Sequence, residues 1–316
     1  MLPSLEKKFV PVMITPFDHK TRLDLDLVSQ LLDFYLAAGV KGFFANCLSS
    51  EMFSLTEVER LRLTKHIADY VNRRAPVVAT GSFGLTIEDK AEFTSKIYDT
   101  GIDAVIMITG HFAGEEESDE TLLRNFDKMF ALTGNIPLGL YECPSPYKRI
   151  LSPDTFKTLL GANRLIYHKD TSIAIDSVKS KLEALKETGN SRLEFYDAHS
   201  PNAMYSLQLG AKGMSSISGN FYPEIMVWIC NNANDPARQQ EVEWLQSEIS
   251  RVDPLIHQAY PLSSKYFLRK RGIPVEAICR TLSVDLTPGQ KKVLDEIHTR
   301  FLGWCERLEI KPLLFN

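Results

Sequence analysis

Little in this chain suits it to an oxidising compartment, a membrane or a nucleic acid. The five cysteines, Cys47, Cys143, Cys230, Cys279 and Cys305, stand far apart and include no CxxC pair. Odd in number, they fit a reducing cytosol rather than a disulfide scaffold, so a cytoplasmic location is expected. No apolar run reaches the ~18 residues that a membrane-spanning helix needs. The opening MLPSLEKKFVPVMITPF lacks the apolar core and cleavage signal of a secretory leader. Basic residues are not concentrated: the longest run is Arg269-Lys270-Arg271, and 36 Lys plus Arg against 40 Asp plus Glu give a formal charge of −4. Without a positive face, nucleic acid is not an expected partner. No strand-like run is followed by GxGxxG or GxxxxGK[ST], which removes support for dinucleotide and ATP sites. Neither HxH nor HExxH occurs, so no metal is expected.

What is present is ordinary globular composition, 44% hydrophobic and 24% charged over 316 residues, enough for a large core. Length alone leaves one α/β barrel or two smaller domains open. Pattern decides between them. β-branched or aromatic runs begin at residues 9, 42, 76, 104, 137, 164, 192 and 213, at intervals of 21 to 34 residues. Each interval accommodates a strand, a loop, a helix and a return. Between the runs lie amphipathic segments with recognisable ends: 25–39 closing on Gly39, Thr56 with Glu59 at capping-box spacing, Asp119 as a cap, Pro153-Asp154 opening a helix, and 176–189 closing on Gly189. Eight strand–helix units predict α/β architecture, a TIM (β/α)8 barrel; an open doubly wound sheet is the alternative. After Pro223 the strand signal stops and four helices follow, carrying Trp228, Trp244 and Trp304 on apolar faces. Residues 1–223 are therefore expected to hold the barrel's strands and helices, and 224–316 its last helix plus a small C-terminal helical appendage packed on the barrel.

In such barrels the catalytic groups come from the C-terminal strand ends. The polar residues there are Thr15, Ser49 to Glu51, Thr80 with Ser82, His111, Tyr141 with Glu142, Lys169 with Asp170, Asp197 with His199, and Ser218 with Asn220. Lys169, inside the run LIYHKD, stands out. An inward ammonium is costly to bury, and the same desolvation lowers a lysine pKa and yields an amine nucleophile able to form a Schiff base. The alternative turns Lys169 outward to pair with a carboxylate such as Asp170. Tyr141, ending the preceding strand, either fills the core or shuttles protons for an imine lysine. His168 precedes the lysine, and alternation aims it away from the barrel axis.

With VMITPFD, CLSSEMFSLTEVER, YECP, HKDTS and LGAKGMSSISGN in place, the chain from about Phe9 to Asp295 resembles the class I pyruvate-dependent aldolases and lyases that include dihydrodipicolinate synthase and N-acetylneuraminate lyase. The resemblance implies that Lys169 is the imine-forming lysine and Tyr141 the proton relay. It implies that Ser49, by hydroxyl and amide, and Ser50, by amide, hold the keto-acid carboxylate. It also implies a homodimer or homotetramer, and the Schiff-base chemistry expected of Lys169 requires no cofactor.

The departures bear on substrate. Leu48 stands where the synthase has a relay threonine, and His111 and Phe112 lie near the position of its tyrosine pair. Pro146 falls at the arginine that binds the second substrate's carboxylate, which argues against condensation. Lys148 and Arg149 are candidate replacements for that charge. Glu142 is a candidate acid or base, and His111 and His199 are candidates for recognising a sugar-acid hydroxyl. Ser218 and Asn220 complete the rim. The expected activity is a Schiff-base lyase or aldolase acting on a small-molecule 2-oxo acid of sugar-acid type and releasing pyruvate by retro-aldol cleavage. The alternatives are a 2-oxo sugar acid dehydratase, a synthase-type condensation, or a non-catalytic keto-acid-binding barrel.

Overall fold

The computed structural model describes residues 6–315; the first five residues of the opening stretch lie outside the described residues. Strands β1 (Lys8–Phe9), β2 (Phe43–Phe44), β3 (Val77–Thr80), β4 (Ala104–Ile108), β5 (Leu138–Tyr141), β6 (Leu165–Asp170), β7 (Glu194–Asp197) and β8 (Gly213–Met214) alternate with eight helices. These are α1 (Leu25–Ala37), α2 (Glu57–Val71), α3 (Ile87–Tyr98), α4 (Asp119–Leu132), α5 (Pro153–Gly161), α6 (Ile175–Thr188), α7 (Ala203–Leu209) and α8 (Pro223–Asn232). Each run read as a strand overlaps one of the eight. All named pairings are parallel, in the order β1-β8-β7-β6-β5-β4-β3-β2. The remaining seam closes where Lys41 N donates to Phe9 O, Phe44 N to Pro11 O and Met13 N to Phe44 O, each at 3.1 Å. The fold is a TIM barrel.

Local chemistry explains the element ends. Asp24 accepts from Leu27 N to start α1, Thr56 and Glu59 form the expected capping box, and Ser152 caps α5 with Pro153 in its first turn. Gly189, at φ 64°, ends α6 in a left-handed conformation. Asp119 departs from expectation. Ser118 holds the cap position of α4, and the Asp119 carboxylate is taken by Arg149 and Thr155.

Alternation along the strands divides the apolar residues into two cores. Val10, Val12, Phe44, Val78, Ile106, Ile108, Tyr141, Tyr167 and Tyr196 point into the barrel, whereas Phe9, Val105, Met107, Leu140 and Phe195 face the helices. β8 passes so close to β1 that a Cβ on Gly213 would lie 1.9 Å from Lys8 O.

Three further helices, α9 (Gln239–Ile256), α10 (Leu262–Lys270) and α11 (Pro288–Arg307), pack on this framework. Arg271, the last of the basic triplet, is fully buried between the rings of Phe34 (4.7 Å) and Phe301 (4.5 Å) and is bonded to Glu224, Phe221 O and Leu313 O. It ties the tail to α1 and α8. Trp304 packs edge-on against Tyr222 and donates to Glu248. Residues 273–287, without helix or strand, run across the mouth of the barrel. Glu51 fastens them there: its carboxylate accepts from Lys265 Nζ, Arg280 N, Thr281 N and Thr281 Oγ1. Among the described residues no helix is long and apolar enough to cross a membrane.

Candidate active site

Lys169 and Tyr141 are direct neighbours in the register of β5 and β6, and both side chains point inward. Lys169 Nζ lies 4.4 Å from the centre of the Tyr141 ring and 5.6 Å from that of Phe44. Its side chain is buried, and desolvation pushes its pKa down to about 8. Burial, with smaller contributions from Cys143 and Cys47, holds the Tyr141 phenol well above its ordinary value, so it is a proton donor at neutral pH. The outward alternative for Lys169 fails because Asp170, on the opposite face of the strand, is already paired with Lys181 at 2.6 Å.

The two residues open into a cavity of about 430 Å³ whose wall also includes Ser49, Thr171, His199, Ser215 and Ser216. Tyr260, Thr281 and Leu282 of the tail complete it. Ser49 and Tyr260 share a hydrogen bond, and Asn220 Nδ2 donates to Tyr260 at 2.7 Å. Ser216 Oγ is buried without a hydrogen-bond partner among the described residues. A cleft of about 400 Å³ opens at the opposite end of the barrel, where Lys8 is paired with Glu194. It is remote from the strand ends that carry Lys169.

Of the residues expected at the site, Lys169, Tyr141, Ser49, His199 and Lys148 line the cavity and six do not. Ser50 spends its amide on Cys47 O (3.0 Å) and its hydroxyl on Met13 O and Ala45 O, because it closes a 3₁₀ turn. Glu142 is on the outer face of the barrel wall, as alternation from Tyr141 requires. There it accepts from Lys181, Leu151 N and Thr171 N. His111 is half-buried against Phe53 and Phe83 with Nδ1 2.6 Å from Ser82 O, and desolvation lowers its pKa. Arg149 reaches sideways to Asp119 (2.8 Å), Gly114 O and Glu117 O, fixing the loop after β4. Ser218 pairs with Ser200, and Asn220 bonds Tyr35, Val12 O and Tyr260, so both support the wall from behind.

His168 faces away from the axis as expected, packed between Phe156 and Phe195. With Glu142 and Asp170 it forms a buried His–carboxylate cluster of the kind that can hold a cation, but Lys181 already places its ammonium between the two carboxylates. Sequence reasoning missed Tyr260, His257 and Thr281, whose segments carry no strand period. It also missed Thr171, Ser215 and Ser216, which stand inside the motifs HKDTS and LGAKGMSSISGN.

The model of the dihydrodipicolinate synthetase family matches residues 6–299. The chain belongs to this family. Members of the dihydrodipicolinate synthetase family are Schiff-base lyases and synthases of the class I pyruvate-dependent aldolase superfamily. The 4-hydroxy-tetrahydrodipicolinate synthase of Stutzerimonas stutzeri is 27% identical over 265 residues, covering 83% of this chain and 87% of its own. That of Methanocaldococcus jannaschii is 25% identical over 305 residues, covering 92% and 97%. Among solved structures, a prophage protein of the dihydrodipicolinic acid synthase family from E. coli K12, in complex with pyruvate, superposes with a TM-score of 0.84 at 22% identity, covering 95% of this chain and 99% of its own. A monomeric dihydrodipicolinate synthase variant gives 0.85 at 17%, covering 96% and 98%. At these identities the structures attest the fold of this dihydrodipicolinate synthetase family member.

Proposed function

We propose that this protein is a lyase that cleaves a 4-hydroxy-2-oxo acid through a Schiff base on Lys169, releasing pyruvate. The observation that carries the reading is the desolvated Lys169 amine beside a protonated Tyr141 phenol in the wall of one cavity. The free amine attacks C2 of the 2-oxo acid to give a carbinolamine. Tyr141 donates its proton to the departing hydroxyl, water leaves, and the protonated imine becomes an electron sink. The resulting phenolate takes the proton of the C4 hydroxyl, directly or through the substrate carboxylate. The C3–C4 bond breaks, the aldehyde departs, and its electron pair forms an enamine. Protonation at C3 and hydrolysis return pyruvate and Lys169. Ser49, together with the unpartnered hydroxyl of Ser216, is the carboxylate's holder, fixing C2 within reach of the amine. No step uses a cofactor.

Condensation with a second carboxylated substrate finds little support: Pro146 stands where the resemblance calls for an arginine, and Arg149 is committed to Asp119. The test is incubation of wild type and Lys169→Ala with pyruvate and sodium borohydride, followed by intact and peptide mass analysis. A reduced pyruvate adduct on Lys169, absent from the variant, is expected. A blank with pyruvate and with a panel of larger 2-oxo acids would sink the imine mechanism.

A further inference from the structure

Lys169 and Tyr141 stand on neighbouring strands, so their alignment is set by the seam between β5 and β6. That seam is short. It has an irregular register at Leu138 and Gly139, pairs Tyr141 with Lys169 as its last residues, and ends where Glu142 N donates to Lys169 O at 3.3 Å. Beyond that bond each strand runs into a loop. A second fastening lies on the outer face of the wall. Tyr141 and Lys169 are each followed by a carboxylate that alternation turns away from the cavity, Glu142 and Asp170. Lys181 of α6 is fully buried and places one ammonium against both, bonded to Glu142 Oε1 and, at 2.6 Å, to Asp170 Oδ2. The same carboxylates hold the loops: Glu142 accepts from Leu151 N at 2.9 Å and Thr171 N at 3.2 Å, and Asp170 from Ser172 N at 2.7 Å. Those loops carry Pro144, Lys148 and Thr171 into the cavity wall. Stability alone gives little reason to bury such a triad, because dehydrating three ions costs about as much as their attraction returns. What the triad supplies is direction, since one ammonium bonded to two carboxylates resists the sliding of one strand end past the other.

We infer that Lys181 is a positioning residue: through Glu142 and Asp170 it holds the ends of β5 and β6 in register and keeps the Tyr141 phenol aligned with the Lys169 amine. It touches no substrate. This role rests on the imine reading above. Its effect falls on the step in which the phenol hands its proton to the departing hydroxyl, where a small misplacement of the donor is costly.

The test is a double-mutant cycle, read as the rate of single-turnover trapping on Lys169 under cyanoborohydride with pyruvate or, where a larger 2-oxo acid traps faster, with that acid. Lys181→Met and the triple variant Glu142→Gln, Asp170→Asn, Lys181→Met are each measured with and without Tyr141→Phe. The triple variant removes all three charges together and leaves no unpaired buried ion, so it decides the matter where the single change does not fold. With Tyr141 in place, each is expected to lower the maximal trapping rate about tenfold and to move the half-saturating acid concentration by less than about twofold. With Tyr141→Phe, the same changes are expected to alter the rate by less than about twofold, because the group being aligned is gone. Lys157→Met, which removes an exposed pair with Glu187 between α5 and α6, leaves the rate unchanged. Rates unaffected by the Lys181 variants, or lowered equally with and without Tyr141→Phe, overturn the positioning role and spare the lyase reading. A triple variant that does not fold assigns the cluster to stability alone and overturns the role as well. Failure of pyruvate and every larger 2-oxo acid to trap in wild type overturns both.

Discussion

The burial of Lys169 makes two measurable quantities depend on one cause. With its pKa pushed down from 10.5 to about 8, roughly one molecule in ten carries the free amine at pH 7, against about three in ten thousand for an unperturbed lysine, a gain of about 300-fold. The rate of pyruvate adduct formation under excess cyanoborohydride, read by intact mass, is expected to climb about tenfold per pH unit from about pH 6 and to level off near pH 8. The same shift acts on folding. Between about pH 8 and 10.5 the unfolded chain holds a proton on Lys169 that the folded chain does not, so stability rises with pH across that window. Below it the folded state bears the full penalty, about 3 kcal/mol. Lys169→Met is therefore expected to abolish the adduct yet raise urea-unfolding stability by up to about 3 kcal/mol at pH 7, with the advantage fading toward pH 10.5. An adduct rate that keeps climbing to about pH 10, together with a methionine variant no more stable than wild type, would refute the argument that desolvation activates this amine.

Other groups give sharper local tests. Tyr141→Phe removes a hydroxyl bonded to the Cys143 thiol, so stability is expected to change by less than about 1 kcal/mol while adduct formation slows about a hundredfold, measured by single-turnover trapping. Lys181→Met leaves Glu142 and Asp170 as buried carboxylates without their cation, at a cost of about 3–5 kcal/mol in denaturant unfolding; unchanged stability would mean the cluster is not held as an ion pair. Asp197 is pushed up to about 7, chiefly by burial and further by the charge of Asp170. Between about pH 4 and 7 the folded state thus holds a proton that the unfolded chain has lost, so its contribution to stability falls as pH rises. Comparing Asp197→Asn with wild type at pH 5 and 8 should show that part of the pH dependence removed.

Much of the site was legible because two periodicities constrain it. The spacing of eight apolar runs called for eight parallel strands, and the period of two along LIYHKD separates Lys169 from His168 and Asp170 onto opposite faces. The same period, carried one residue past Tyr141, puts Glu142 on the outer face of the barrel wall, where it accepts from Leu151 N and Thr171 N. Arg149, His111 and Ser50 were beyond such reasoning, because the loops holding them follow no period and their partners are Asp119, Ser82 and Cys47 O.

The sequence by itself determined the strand–helix repeat of the barrel and put Lys169 and Tyr141 at consecutive strand ends, since alternation and strand spacing are local properties of the chain, while its motifs carried the resemblance to the family. Only the tertiary structure decided what surrounds that pair. Tyr260 and Thr281 reach the cavity from the C-terminal segment because Asn220 and Glu51 hold them there across about 40 and 230 residues of sequence. Contacts made over such separations are set by packing of the whole fold, and no stretch of sequence short enough to read as a motif contains both partners.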